Sequence, residues 1–279
     1  MKKLTALTLA LLMLTLLFAG CSSTPKENTS FRVMDEALDA EQYGIGFRNE
    51  DIALGMAVQN ALDDMIADGK AAEISKKWFG EDLLFKTTDY CEDTTIADGD
   101  DSLQKILDRG TFILGLDDSF PPMGFRDEQN NIVGFDIDLA TEVCARLGVE
   151  LVVQPIDWDS KELELSTGKI DCIWNGMTIT DERIDSMFIP KPYIANRQVV
   201  IVGNTFKGDT LADLKGKVVG LQKGSSSLEA LEKNTAVHDS VKSISEYADN
   251  VAAFLDLKAG RIEALVVDEV AGRYIMENN

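Results

Sequence analysis

The chain has a single histidine among its 279 residues. It stands at position 238 in the polar stretch "NTAVHDS", read as a loop, so a Ser-His-Asp or Cys-His nucleophilic site is nearly excluded. Catalysis would fall to carboxylates, and no pair of them is marked out by spacing. Cationic residues are scarce too: 27 Lys and Arg stand against 48 Asp and Glu, a formal charge of −21. Such a surface repels phosphate backbones, which excludes nucleic acid as a partner, and it argues against peripheral binding to anionic lipid. Four cysteines without a CxxC spacing argue against a zinc site. No GxxxxGK[ST] loop is present to cradle a nucleotide.

Long apolar runs are also missing, apart from one. "MKKLTALTLALLMLTLLFAGC" places Lys2 and Lys3 before an apolar stretch from Leu4 to Phe18. That stretch is shorter than the ~20 residues a membrane-spanning helix needs. The order Leu17, Phe18, Ala19, Gly20, Cys21 resembles a bacterial lipobox, so residues 1–20 read as a lipoprotein signal peptide and Cys21 as a lipidated N-terminus. Ordinary secretion with cleavage after a small residue is the alternative. Removal of Lys2 and Lys3 would take the charge from −21 to −23. Residues 21–30, small and polar, read as a tether. Of the other cysteines, Cys91, Cys144 and Cys172, at most one pair could bond, and Cys144 and Cys172 read as buried thiols.

From residue 111 onward, short β-branched runs alternate with helical patterns, the signature of an α/β fold with mostly parallel strands. Strands are expected near "TFILGLD", "LVVQPI", "DCIWNG", "QVVIVGN", "KVVGLQ", "VKSIS" and "EALVVDE". Ahead of them, "FRVMDEA" and "YGIGFRN" read as strands and residues 51–68 as a helix. Residues 86–102, acidic and poor in apolar anchors, read as a linker.

Four apolar strands end in polar residues or glycine turns: Asp117, Asn175 with Gly176, Gln222 and Asp268. In open α/β sheets ligands bind beyond the carboxyl ends of the strands, so these positions could share one cleft. Taken singly, Asp268 is better explained as a helix cap. In "NGMTITDER", Thr180 is a good N-cap, and Arg183 beside that helix start could hold a carboxylate in two-pronged fashion, or else pair on the surface with Glu182 or Asp185. "QKGSSSLEAL" offers a second helix start preceded by hydroxyls. Phe120 and Trp158 follow strands and could wall a pocket or belong to core, where Trp174 is assigned.

Together, "GLDDSFPPMGF", "GFDIDLATEVCARLG", "LSTGKIDCIWNGMTITDER", "PKPY", "DLKGKVVGLQKGSSS" and "LKAGRIEALVVDE" resemble the amino-acid-binding branch of the type II periplasmic solute-binding proteins, receptors of ABC importers. The resemblance implies two α/β lobes joined by two crossing strands and closing on one amino acid. It implies that Arg183, with the amides around Thr178 and with Ser226 as a possible further partner, holds the α-carboxylate, and Ser225 is a further ligand-binding candidate. Asp268 would take the α-ammonium, helped by the Gly176 carbonyl and the Thr178 hydroxyl. Phe120 and Trp158 would cover the ligand's stem, with Asp117, Asn175 and Gln222 toward its side chain.

In that family, the pattern resembling "YGIGFRNEDIALGMAVQNALDDMIADGKAAEISKKWFGEDL" stands at the C-terminus, whereas here it comes first. The resemblance therefore implies a circular permutation, with a truncated tandem gene as the alternative origin. One lobe is expected at 46–194, with the 86–102 linker inside it, and the other at 195–279 plus 31–45. The expected protein is a monomeric, lipid-anchored, extracytoplasmic receptor that passes a polar or neutral L-amino acid to a permease, with no cofactor, no metal and no catalysis. An enzyme of cyclohexadienyl dehydratase type on the same fold, or the sensing domain of a signalling receptor, are the rivals.

Overall fold

The structure is a computed structural model, and it describes residues 30–278. The signal peptide, most of the tether and Cys21 lie outside the described residues. In chain order the elements open with β1 (Phe31–Val33), β2 (Ala40–Gly46), α1 (Ile52–Asp68), α2 (Lys70–Phe79), α3 (Ser102–Arg109) and β3 (Thr111–Leu116). A small meander follows, β4 (Ser119–Phe120), β5 (Gly124–Arg126) and β6 (Ile132–Val133), then α4 (Phe135–Leu147), β7 (Glu150–Pro155), α5 (Lys161–Ser166), β8 (Cys172–Thr178) and α6 (Asp181–Ser186). The remainder is β9 (Ile194–Gly203), β10 (Val218–Gln222), α7 (Ser227–Lys233), α8 (Thr235–His238), β11 (Ser243–Tyr247), α9 (Asn250–Lys258), β12 (Ala264–Asp268) and α10 (Glu269–Asn278). His238 thus closes a short helix rather than lying in a loop.

The helices follow their apolar stripes. In α1, Leu54, Val58, Leu62 and Met65 are fully buried on one face. In α4, Phe135, Leu139 and Val143, four apart, are likewise buried, and the Gly148 amide closes the helix on the carbonyls of Ala145 and Cys144. Trp174 is fully buried in the core.

The strands form one curled sheet in the order β11-β10-β12-β9-β2-β8-β3-β7, with β1 beside β9. One half holds the parallel pairs β3–β7 and β3–β8, the other the parallel pairs β10–β11 and β10–β12. The expectation of a mostly parallel sheet is corrected at the junction. There β2 and β9 lie antiparallel to each other, β2 runs against β8, and β9 runs against β12 and β1. Two long strands therefore cross between the halves, and strand ends from both halves point at the space between them.

The "FRVMDEA" stretch pairs Phe31 with Gly203 and Val33 with Ile201, and the Phe31 ring packs edge-on against Phe254. Residues 86–101 form neither helix nor strand but are fastened to the body. The Cys91 amide bonds the Pro190 carbonyl at 2.8 Å, Glu92 accepts from the Ile189 amide, and Lys191 sits 4.4 Å from the Tyr90 ring centroid. Cys91, Cys144 and Cys172 are free thiols, and burial pushes Cys144 up to about 12.

Candidate functional site

The strand ends meet around one cavity. Its lining is Asp117, Phe120, Trp158, Asn175, Gly176, Thr178, Arg183, Gln222, Ser225, Ser226 and Asp268, every residue that the sequence assigns to a ligand. Its walls lie close together, leaving a cavity volume of about 10 Å³. Asp117 to Arg183 come from the half containing β3 and β8, whereas Gln222 to Asp268 come from the half containing β10 and β12.

Arg183 reaches this space because Thr180 caps α6, its side chain accepting the Arg183 amide at 3.3 Å. The guanidinium turns inward, away from Glu182 and Asp185, and is 7 % exposed. Its Nη1 donates to the Thr178 carbonyl at 2.7 Å and its Nη2 to the Gly224 carbonyl at 3.2 Å. Those contacts use two of five N–H donors, so a planar acceptor could still be gripped.

Asp268 ends β12 and is buried. Its Oδ1 accepts the Tyr43 hydroxyl and the Asn196 Nδ2, each at 2.7 Å, which are partners other than the first amides of α10. Burial, with Glu41 nearby, raises its pKa from the usual carboxylate range to about 7.

Asp117 is fixed by Ser119, whose amide and hydroxyl donate to Oδ1 at 2.9 and 2.8 Å, and burial raises its pKa. Its Oδ2 accepts the Gln222 Nε2 at 2.7 Å, a bond that joins the two halves. Asn250 in turn donates to Gln222 at 2.9 Å. The Asn175 Oδ1 accepts the Asp117 amide at 3.1 Å, while its Nδ2 is buried without a partner.

The Ser226 hydroxyl donates to Thr178 Oγ1 at 3.0 Å, again from half to half, and Ser225 turns back to the Gln222 carbonyl. Gly176 has φ +55°, and a β-carbon there would sit 2.8 Å from the Phe120 ring and 3.0 Å from Tyr43. Only glycine fits that floor. Its amide donates to Asp136 at 2.7 Å, a buried carboxyl that Tyr193 also caps.

The sequence reading missed a layer behind the cavity: Glu41 and Tyr43 on β2, Asn196 and Gln198 on β9, and Lys161 at the start of α5. Lys161 is buried, 5.2 Å from the Trp158 ring centroid, and donates to the Gly224 carbonyl at 2.9 Å. The signal available for the others was polar residues two apart on each crossing strand, one face of a strand.

Two half-sheets, two crossing strands and a cavity at the strand ends between them define a two-lobed α/β protein of the type II periplasmic fold. Among such proteins, the chain belongs to the bacterial extracellular solute-binding proteins, family 3, whose family model matches residues 112–255. It is 34 % identical over 171 residues to the L-cystine-binding protein TcyJ of Escherichia coli, covering 61 % of this chain and 63 % of that protein. Against the ABC transporter arginine-binding protein 1 of Escherichia coli the identity is 37 % over 155 residues, covering 55 % and 61 %. The chain thus spans less than two thirds of the length of these curated relatives.

Among solved structures, a substrate-binding protein of an ABC uptake transporter from Streptococcus pneumoniae with bound histidine superposes with a TM-score of 0.63 at 38 % identity, over 65 % of this chain and 75 % of that one. The arginine-bound form of truncated ArgBP from T. maritima gives 0.59 at 39 % identity, over 63 % and 82 %.

Proposed function

We propose that the protein is an extracytoplasmic receptor that closes on one L-amino acid and delivers it to an ABC importer. The observation that carries this reading is the pairing of opposite charges in one small cavity, buried Arg183 facing it from one half and buried Asp268 from the other. A zwitterion satisfies both, and neither is neutralised by the other. Arg183 with the Ser226 hydroxyl would hold the α-carboxylate, Asp268 and Thr178 the α-ammonium. Phe120 and Trp158 would sandwich the stem, with Asp117, Asn175, Gln222 and Ser225 toward the side chain. Because both halves touch the ligand, the closed arrangement gains affinity that the open one lacks. Relatives named for cystine and arginine, and neighbours holding histidine and arginine, support an amino acid as the ligand.

Residues 46–194 and 195–279 plus 31–45 serve in this proposal as the two lobes, and the element order is circularly permuted. Pairing of β1 and β2 with β9, in one body with the family-matched region, supports the permutation. The lipid anchor at Cys21 and a monomeric state complete the reading.

A thermal-shift panel across the twenty amino acids and L-cystine tests it: a ligand at 100 times its dissociation constant adds about 2.7 kcal/mol of stability. A panel in which nothing moves the midpoint refutes the receptor. The second reading is an enzyme of cyclohexadienyl dehydratase type, and it rests on the place of Asp268: a buried carboxyl at the cavity wall, its pKa raised by burial, is where a proton-transfer acid would stand. Aromatisation of a cyclohexadienyl substrate, followed by ultraviolet absorbance, would reveal it.

A further inference from the structure

Behind the Asp268 carboxylate stands a second one. Glu41 Oε2 accepts three hydrogen bonds of 3.0 Å, from Thr178 Oγ1, Asn196 Nδ2 and Gln198 Nε2. The same Asn196 nitrogen donates to Asp268 Oδ1, so the two carboxylate oxygens share one amide and lie within about 6 Å of each other. Glu41 and Asn196 are register partners on the two crossing strands. The donors that hold Glu41 are also the residues that touch the cavity wall: Thr178 lines it, and Gln198 bonds Ser226, which lines it too.

Other charges bear on this pair. Tyr43 caps Asp268, and Arg183 faces both acids from α6. On the far side Glu41 borders a hollow of about 430 Å³ with Asp39, Glu229 and Lys233. Glu269, next to Asp268, is turned outward and neutralised by Arg197 and Arg273. No cation among the described residues forms an ion pair with Asp268.

Building on the receptor reading, we propose that Glu41 is a positioning residue of the ammonium subsite: through the shared Asn196 amide it sets a second negative charge behind Asp268, so that a ligand ammonium enters as a proton leaves. The proton departs from the Asp268 carboxyl to solvent, and the arriving –NH3+ takes its place as the compensating positive charge. Glu41 acts through Asn196 and Thr178 without touching the ligand. The elevated Asp268 pKa, which burial and then Glu41 both push up, agrees with this arrangement. Affinity should then fall on acidification.

The test has a part that needs no ligand. Carbon-13 carboxyl NMR of the unliganded protein, with Asp268→Asn to assign the resonance, should show Asp268 titrating near 7 and Glu41→Gln should bring it down toward the ordinary carboxylate range. An ordinary titration in the wild type, or one that Glu41→Gln leaves in place, overturns the proposal. Should Glu41→Gln not fold, Asn196→Ser removes a donor to the ionised form and should move the titration up; no movement overturns the proposal equally.

The second part uses L-arginine and L-glutamine, whose side chains do not titrate between pH 5 and 9. Their dissociation constants should rise about thirtyfold from pH 8.5 to 5.5 in the wild type, and less than about tenfold in Glu41→Gln. Binding that is flat with pH overturns the proton exchange while leaving the receptor standing. If neither binds at pH 8.5, the receptor reading for these ligands fails and the NMR titration alone decides the role of Glu41.

Discussion

Gly224 offers a way to separate closing from folding. It lies in the turn between β10 and α7 with φ +71°, and a β-carbon there would come within 2.9 Å of the Asp159 Cα, which belongs to the other half of the sheet. The obstacle is backbone, so no rotamer change relieves it. Its carbonyl also receives both Lys161 and Arg183, which fixes the turn against that half. Gly224→Ala therefore carries two costs of different origin. The left-handed backbone costs about 1–2 kcal/mol in any arrangement that keeps the turn, open or closed. The overlap with Asp159 exists only when the halves meet, and overpacking of this kind costs about 1–3 kcal/mol. Urea unfolding without ligand reports the first cost, and calorimetric titration of the amino acid that stabilises the wild type most reports the second. The variant should remain folded and bind roughly five- to hundredfold more weakly. Undiminished affinity would show that the turn does not meet Asp159 in the ligand-binding form, and the closing argument would fail.

Arg183→Ala and Asp268→Ala should each cost about 2–5 kcal/mol of affinity by calorimetry, because each leaves a desolvated charge of the ligand unpaired. Phe120→Ala should weaken binding while circular dichroism stays native; loss of the folded state would instead make the ring core. The pH dependence of unliganded stability follows from the raised acids. Burial lifts Asp136 to about 7 and Asp268 to about 7. A carboxyl that holds its proton more tightly when folded stabilises fully below its ordinary range near 4, and that contribution is lost as pH rises through 7. The urea midpoint should drop between pH 5 and 8, and Asp136→Asn should flatten the drop; an unchanged slope in the variant would clear Asp136 of the role.

The cavity's front was legible in the sequence because its residues sit where apolar runs stop: Asp117, Asn175, Gln222 and Asp268 interrupt patterns that are otherwise pure core. Its back was not. The crossing strands show in the sequence through their apolar parts, "YGIGFRN" and "QVVIVGN", whereas β2 begins at Ala40 and β9 at Ile194. The omitted beginnings, "AEQ" and "IANR", carry Glu41 and Asn196. Polar residues at a strand's start look like the approach to a turn. Here they are held by pairing with each other across the junction, a tertiary fact that local periodicity does not encode. The β4–β6 meander escaped for a similar reason, its strands being two or three residues long around Pro121 and Pro122.

The central claim is that the cavity grips both ends of a zwitterion. The direct measurement is a calorimetric titration with the amino acid that most raises the thermal midpoint, alongside the amine that lacks its carboxylate and the acid that lacks its amine. Arg183 and Asp268 predict one-to-one binding of the amino acid, with each truncated analogue weaker by at least about thirtyfold. Equal binding of either analogue would contradict the account, since one of the two buried charges would then have no part in recognition.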